Sequence, residues 1–385
     1  MDLNTRQREA AQAGPAPLLI LAGAGTGKTN TLAHRVAHLI RQGVAPERIL
    51  LLTFTRRAAA EMTRRASRIV GELAKEVRLP WSGTFHSIAN RLIRKYCKRL
   101  GLAETFSVLD RGDAADLMDV VRHEQGLSKA EKRFPRKDTC LAIYSHRVNT
   151  QRPLAETLAL MFPWCAEWED ELKKLFAEYT GRKIDNQALD YDDLLLYWHA
   201  MMQDGLLAAE LDARFDHVLV DEYQDTNVLQ AEILQRLKPS GEGVTVVGDD
   251  AQAIYSFRAA TVENIRSFQK IASVISLEEN YRSTQQILDA ANALIGKRLY
   301  SQKKLGAKPR YVTVADDEGQ AQYVVTRVLE ARERGVLLRN QAVLFRASHH
   351  SDLLELELVR RNIPYVKYGG LKFLEAAHVK DLLAV

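Results

Sequence analysis

Residues Leu18–Asn30 read LLILAGAGTGKTN: an apolar run, a glycine-rich turn, then Lys28-Thr29 opening a helical pattern. The apolar residues are continuous rather than alternating, which predicts a strand buried on both faces of a parallel sheet. Gly25 and Gly27 allow the backbone N–H groups to converge on an anion, and the helix that follows presents its positive end. Lys28 is then placed to neutralise β- and γ-phosphates, and the Thr29 hydroxyl to ligate Mg²⁺. The usual spacing is GxxxxGK[ST]; here its first position is Ala22, with Gly23, Ala24, Gly25, Thr26 and Gly27 completing the loop and Asn30 following it. An ordinary glycine turn is the competing reading, and the flanking strand and helix patterns weigh against it.

Two later stretches repeat the arrangement. In HVLVDEYQD (His217–Asp225), adjacent carboxylates follow a second apolar run. Asp221 at a strand end is placed to reach a metal, and Glu222 to orient or deprotonate an attacking water. Thr29, Asp221 and Glu222 form the expected metal set; alone, the acidic pair also reads as an exposed turn. In VTVVGDDAQAIYSFR (Val244–Arg258), a strand is followed by Gln252, within reach of a γ-phosphate, and then by Tyr255, Phe257 and Arg258. Aromatics beside an arginine suit stacking on unpaired bases, although the same residues also fit a core.

The chain has 385 residues, 46% of them apolar and 27% charged, with a net charge of +5. That length predicts more than one domain, and the mild basic excess permits a nucleic-acid partner without demanding one. Cys97, Cys140 and Cys165 have no metal-ligand or redox spacing, and His349-His350 lacks partners for a metal site. The apolar runs fall short of the roughly 20 residues that span a bilayer. These features predict a soluble, cytoplasmic protein with no membrane partner.

Leu18–Leu21, Ile49–Phe54, Val218–Val220 and Val244–Val247 are expected strands of one sheet; Val274–Leu277, Tyr311–Val314 and Ala342–Phe345 are expected in a second. The fold class is therefore α/β, with parallel sheets and ligands at the strands' carboxyl ends. Between them, helical periods dominate, which predicts an inserted helical domain. Arg91, Arg94, Lys95, Lys98 and Arg99 cluster there, as do Lys129, Lys132, Arg133, Arg136 and Lys137; each cluster is a solvated face or a nucleic-acid contact. Asp190-Tyr191-Asp192-Asp193 reads as an acidic first turn capping a helix.

These motifs, in this order, resemble those of UvrD/Rep-type DNA helicases of superfamily 1 over essentially the whole chain. LNTRQREA (Leu3–Ala10) is similar to the family's adenine-recognition segment, with Gln7 as its glutamine. LLTFTRRAAAEM (Leu51–Met62) and GTFHS (Gly83–Ser87) resemble its single-stranded-DNA motifs, which implies DNA contacts for Phe54, Thr55, Thr84, Phe85 and His86. Tyr255, Phe257 and Arg258 extend that set, with Phe257 where the family frequently has Trp. LEENYRST (Leu277–Thr284) resembles the motif whose Tyr281 packs on adenine and whose Arg282 reaches the γ-phosphate. Arg35 matches a family nucleotide-site position.

The resemblance implies a P-loop NTPase with RecA-like motor domains: residues 1–88 plus 215–275 (1A), a helical insertion at 89–214 (1B), and a partial second domain at 276–385 (2A). It implies ATP and Mg²⁺ as cofactors, and single-stranded DNA and DNA junctions as partners; it names no protein partner. The expected activity is ATP-driven 3′-to-5′ translocation and unwinding in repair or replication restart, with Lys28, Glu222, Gln252 and Arg282 catalytic. Lys28 and Arg282 are expected from different sheets that close on the triphosphate. A nucleotide-gated binding module without helicase activity, and the motor part of a helicase–nuclease, are the competing readings. The family's last motifs do not occur before Val385, so these 385 residues are expected to be a fragment with weak binding and poor turnover.

Overall fold

The computed structural model describes residues 3–71, 78–129, 133–303 and 306–368, with the side chains of Lys129 and Arg258 excepted. The expected segment Gly369–Val385 and the basic residue Lys132 lie outside these. Two compact units divide the chain, Met1–Ala307 and Lys308–Val385.

The first unit is built on a six-stranded, wholly parallel sheet. Its strands are β1 (Leu18–Ala22), β2 (Ile49–Thr53), β3 (Ser82–Thr84), β6 (His217–Val220), β7 (Val244–Gly248) and β8 (Ser273–Leu277), in the order β3-β2-β6-β7-β1-β8. A short parallel pair, β4 (Ser107–Val108) with β5 (Ala188–Leu189), lies outside it. Successive side chains of a strand point to opposite faces, so each apolar run feeds two cores. Leu18, Ile20, Ile49, Leu51 and Leu219 pack against Leu32, Val36 and Met62 of α2 (Lys28–Arg41) and α3 (Arg56–Gly71). Leu19, Leu50, Leu52, Val218, Val220 and Val246 face the other way, into a core shared with the helical insertion.

That insertion runs from α4 (Phe85–Tyr96) through α5 (Arg111–Glu124), α6 (Lys137–Thr150), α7 (Leu154–Met161), α8 (Glu169–Asp185), α9 (Tyr191–Met201) and α10 (Gly205–Arg214). The expected acidic helix start is present. Asp190 caps α9 by accepting from Asp193 N–H, and the Asp193 side chain returns the bond to Asp190 N–H. The buried Lys183 ammonium lies 2.6 Å from both Asp190 and Asp193. In the basic cluster of α4, Arg91 stacks on Trp81 and Arg94 on Phe106, so part of its charge serves packing.

Helix α1 (Thr5–Gln12) precedes β1, and α11 (Val228–Leu237), α12 (Glu263–Gln269) and α13 (Gln285–Ile295) complete the unit. Two expectations are corrected. Val274–Leu277 does not open a second sheet; it pairs with β1 because Ile275 and Leu277 bury against the first sheet's core. Tyr311–Val314 and Ala342–Phe345 form no strand among the described residues; Tyr311 and Leu344 are each 94% exposed and have no partner strand to bury them. In the second unit, α14 (Asp317–Glu333) and α15 (Asp352–Arg360) pack through Val325, Leu358 and Ile363. His349 and His350 lie at its surface, edge to face with one another. Among the described residues no helix is long and apolar enough to cross a membrane.

Breaking one side of a buried ion pair strands the other. Lys183→Met leaves Asp190 and Asp193 without their cation, and should cost about 3–5 kcal/mol in urea unfolding. A loss below about 1 kcal/mol would show that those carboxylates need no counter-charge there.

Candidate functional site

Parallel strands deliver their carboxyl ends to one edge of a sheet. There, β1 leads into Gly23–Gly27, β2 into Phe54-Thr55, β3 into Phe85-His86, β6 into Asp221-Glu222, β7 into Asp249, and β8 into Glu278–Arg282.

The loop after β1 needs its glycines. Gly25 and Gly27 have φ of +77° and +85°. A Cβ at Gly25 would meet Arg282 Cβ at 2.7 Å, and one at Gly27 would meet Gln7 Nε2 at 2.7 Å. The loop is tied internally by Thr26, whose hydroxyl donates to Gly23 O at 2.8 Å. Gln7 is buried; its amide donates to Thr26 O at 2.8 Å and accepts from Asn4 N–H at 3.0 Å. Ala22 is the buried last residue of β1; Ala24, Thr29 and Asn30 are half-buried in the loop and the first turn of α2.

The Lys28 ammonium donates to Glu222 Oε2 at 2.8 Å. Glu222 itself has φ +50°, a strained backbone for a residue with a side chain, of the kind that clusters at functional sites. Asp221 is buried beside it, and its Oδ1 has no hydrogen-bond partner. Burial, reinforced by the Glu222 charge and opposed by Lys28, pushes the Asp221 carboxyl up to about 7. Asp225, also with an unpartnered buried Oδ1, is pushed up to about 6, by burial first and then by Glu222. A carboxylate oxygen left without a donor in a buried position fits a cation.

Sequence reading assigned no role to Gln224 or Asn280. Gln224 donates to Glu222 Oε2 at 2.8 Å and accepts from Asp249 N–H at 3.0 Å, joining the edge residues of β6 and β7. Gln252 is held by Asp249, its amide donating to Oδ2 at 2.7 Å. Asn280 donates to Ala24 O at 2.5 Å while accepting from the N–H groups of Arg282 and Ser283. Tyr281 N–H donates to Gly25 O at 2.9 Å, and its hydroxyl accepts from Asn4 and donates to Glu279, both at 2.8 Å. Arg282 thus stands, exposed, against the phosphate loop within the first unit, not on a second sheet as expected. Both amides sit inside the quoted motifs, and their position between charged residues was the available signal.

A cleft of about 730 Å³ opens between this edge and the helical insertion. It brings together Phe54, Thr55, Thr84, His86 and Phe257 with Asp221 and Glu222. Phe54 stacks on Tyr255 at 4.9 Å between centroids, and Tyr255 on Phe257 at 5.9 Å; Phe257 is 64% exposed. His86 meets Tyr191 edge to face at 5.9 Å, and burial holds its imidazole down to about 4, so it is neutral at pH 7. Thr55 and Thr84 accept N–H bonds from the first turns of α3 and α4.

Phe85 also lines the cleft, although it is only 5% exposed and packs on Trp198, since it starts the apolar stripe of α4. One expected contact is corrected. Arg35 is 1% exposed, with donors spent on Thr245 Oγ1 and the carbonyls of Ala10, Ala13 and Gly14; burial lowers its pKa to about 10. It fastens α1 to the sheet with four of its five N–H donors, and it is buried away from solvent. Arg258 lies in the turn after Tyr255, and its side chain is outside the described ones.

The geometry meets matching family models over nearly the whole chain. Residues 3–273 match the UvrD/REP helicase N-terminal domain, and residues 275–385 the UvrD-like helicase C-terminal domain. The chain belongs to the UvrD/Rep helicase family. Among curated members it is 34% identical over 399 residues to the ATP-dependent DNA helicase PcrA of Leuconostoc citreum, covering 99% of this chain and 52% of that protein. PcrA of Staphylococcus aureus strain Mu50 is 33% identical over 396 residues, covering 99% and 53%, and that of Staphylococcus epidermidis 34%, covering 100% and 53%. The chain therefore spans about half the length of the curated family members it matches.

The cleft's two walls are joined by a buried amide relay. Asn149 on α6 donates to Asp192 Oδ1 at 2.7 Å and accepts from Asn227 Nδ2 at 2.6 Å, and Asn227 caps α11 just past Asp225. Asn149→Leu keeps the volume but orphans Asn227 Nδ2 and leaves Asp192 Oδ1 with the Ser145 hydroxyl, and should cost about 1–3 kcal/mol in urea unfolding. An unchanged midpoint would mean that the relay holds nothing.

Proposed function

We propose that this chain is the ATP-binding and DNA-binding part of an ATP-driven 3′-to-5′ DNA helicase that moves along single-stranded DNA, at junctions met in repair or replication restart. The observation that carries the reading is the placement of Lys28, Glu222, Asp221, Gln252 and Arg282 at one sheet edge, beside an aromatic cleft sharing Asp221 and Glu222. The family models divide the chain between 273 and 275, which supports a first motor domain (1–88 plus 215–275) followed by a partial second one (276–385), although the first compact unit runs to Ala307; the helices α4 to α10 support the insertion (89–214).

In this reading the triphosphate displaces Glu222 from Lys28. The ammonium then neutralises β- and γ-oxygens, and the freed Glu222 carboxylate orients and deprotonates water for in-line attack. Gln252, held by Asp249, faces the γ-phosphate, and Arg282 stabilises the charge that develops there. Gln7 reads the adenine edge and Tyr281 packs on its face. Thr29 and Asp221, with Glu222 beside them, would hold Mg²⁺, which supplies charge neutralisation on the phosphates. Phe54, Tyr255 and Phe257 stack on bases of the strand, and Thr55, Thr84 and the neutral His86 line its path.

ATP hydrolysis by the chain, measured with and without single-stranded oligonucleotide, tests the first half. Slow turnover, raised by the strand, is expected of this chain, and Lys28→Ala should lower it by about 100-fold or more; equal rates in both forms would remove the phosphate-loop assignment. Phe257→Ala tests the second half. Losing one stacking platform should weaken oligonucleotide binding by about 1–3 kcal/mol in fluorescence anisotropy, with ATP affinity unchanged. An unaltered dissociation constant would take Phe257 off the strand's path.

A further inference from the structure

Among its described lining residues, the cleft that would hold the strand is poor in positive charge: Asp110, Asp190, Asp192, Asp221, Glu222 and Asp225 stand against one cation, Arg111. Rings hold bases, but the affinity of a polyanion comes chiefly from cations that replace its counterions. The positive charge lies next door.

A second cavity, of about 610 Å³, opens between α3 and the edge strand β3. Arg56, Arg64 and Arg78 line it, all exposed, with the hydroxyl-bearing Thr63, Ser82 and Ser87. No carboxylate is among its described lining residues. Helix α3 carries Arg56, Arg57, Arg64, Arg65 and Arg68 against a single acid, Glu61, which pairs with Arg64 and Arg65. The two cavities are consecutive along the chain. Thr55 and Thr84 line the aromatic cleft, and their neighbours Arg56 and Gly83 line the arginine pocket. Gly83 packs closely on Ser87 there, since a Cβ would press on Ser87 Oγ.

We propose that this pocket binds the phosphodiester backbone of the strand as it leaves the aromatic cleft. The pocket grips phosphates without reading bases and supplies the charge that the cleft lacks. The inference rests on the DNA-binding reading above.

The test compares two fluorescent oligothymidylates of about 5 and about 12 nucleotides, one filling the cleft and one reaching past it. Their affinities are measured against salt for the chain and for the triple variant Arg56→Gln/Arg64→Gln/Arg78→Gln. Each phosphate contact contributes about 0.7 to the slope of log affinity against log salt for a single strand. The variant's slope should fall by about 2 for the longer strand and stay unchanged for the shorter. The corresponding triple Lys variant should restore it. An unchanged slope on the longer strand, or equal losses on both strands, overturns the inference while leaving the cleft reading standing. Failure of the unaltered chain to bind either strand sinks the cleft reading itself. Glu61→Gln gives an independent arm of opposite sign, since it frees Arg64 and Arg65 and should tighten only the longer strand. No change there counts against the pocket even if the triple variant unfolds.

Discussion

Lys28 and Glu222 lie 194 positions apart in the chain, yet ammonium and carboxylate meet at 2.8 Å. Their meeting depends on β1 and β6 running in the same direction, with β7 between them, so that both loops leave the sheet on one edge. Parallel order in turn requires strands covered on both faces, which the two cores provide. Reversing any of these strands would carry its acid, amide or loop to the opposite edge. The ion pair also explains why an exposed site can hold so much negative charge. Asp221 Oδ1 has no donor, and Lys28 is the cation that opposes the burial of this carboxylate.

How far the sequence told this in advance depended on whether a signal was local. Four strands were legible because uninterrupted Val, Leu and Ile runs have no other way to be buried. Strand β3 was not, since Ser82-Gly83-Thr84 carries no apolar signal and joins the sheet only because β2 offers an edge. Val274–Leu277 and Tyr311–Val314 look alike as runs. What separates them is a partner, and a partner is a tertiary fact. Phe54 and Phe85 both follow strands and both line the cleft, yet Phe54 is exposed there while Phe85 is largely buried in the core. Here the distinction was within reach, because Phe85, Ile88, Ala89 and Leu92 fall at helical spacing and form the buried stripe of α4. Arg35 likewise shares a buried face with Leu32 and Leu39, which foretells a side chain held inside the fold.

Contacts between distant polar residues were beyond reach. Asn149 and Asn227 are ordinary amides 78 residues apart, and nothing in either neighbourhood announces the other. Their bond matters because buried amides must be satisfied, so a specific partner fixes the helical insertion at one position over the sheet. The same relay reaches Asp192, whose carboxyl is pushed up to about 6 by burial and then by Asp190. Asp190, Asp192 and Asp193 were quoted together as a helix start. The structure divides their labour between capping, the Lys183 pair and the amide relay.

The charge distribution carries the last step. On the proposed reading, a sheet edge that gathers acids for a metal and a triphosphate would repel a second polyanion lying across it, and within a Debye length of about 8 Å that repulsion would not be screened away. Neutral holds are then the ones compatible with the cleft: stacked rings at Phe54, Tyr255 and Phe257, and an imidazole at His86 that burial keeps uncharged. Cationic residues placed among those acids would pair with them, as Lys28 does with Glu222, and would be unavailable to phosphate. Separating the two tasks, rings over the acidic edge and arginines beyond Thr55 and Thr84, would let one surface hold the two proposed anionic ligands without setting their counter-charges against each other.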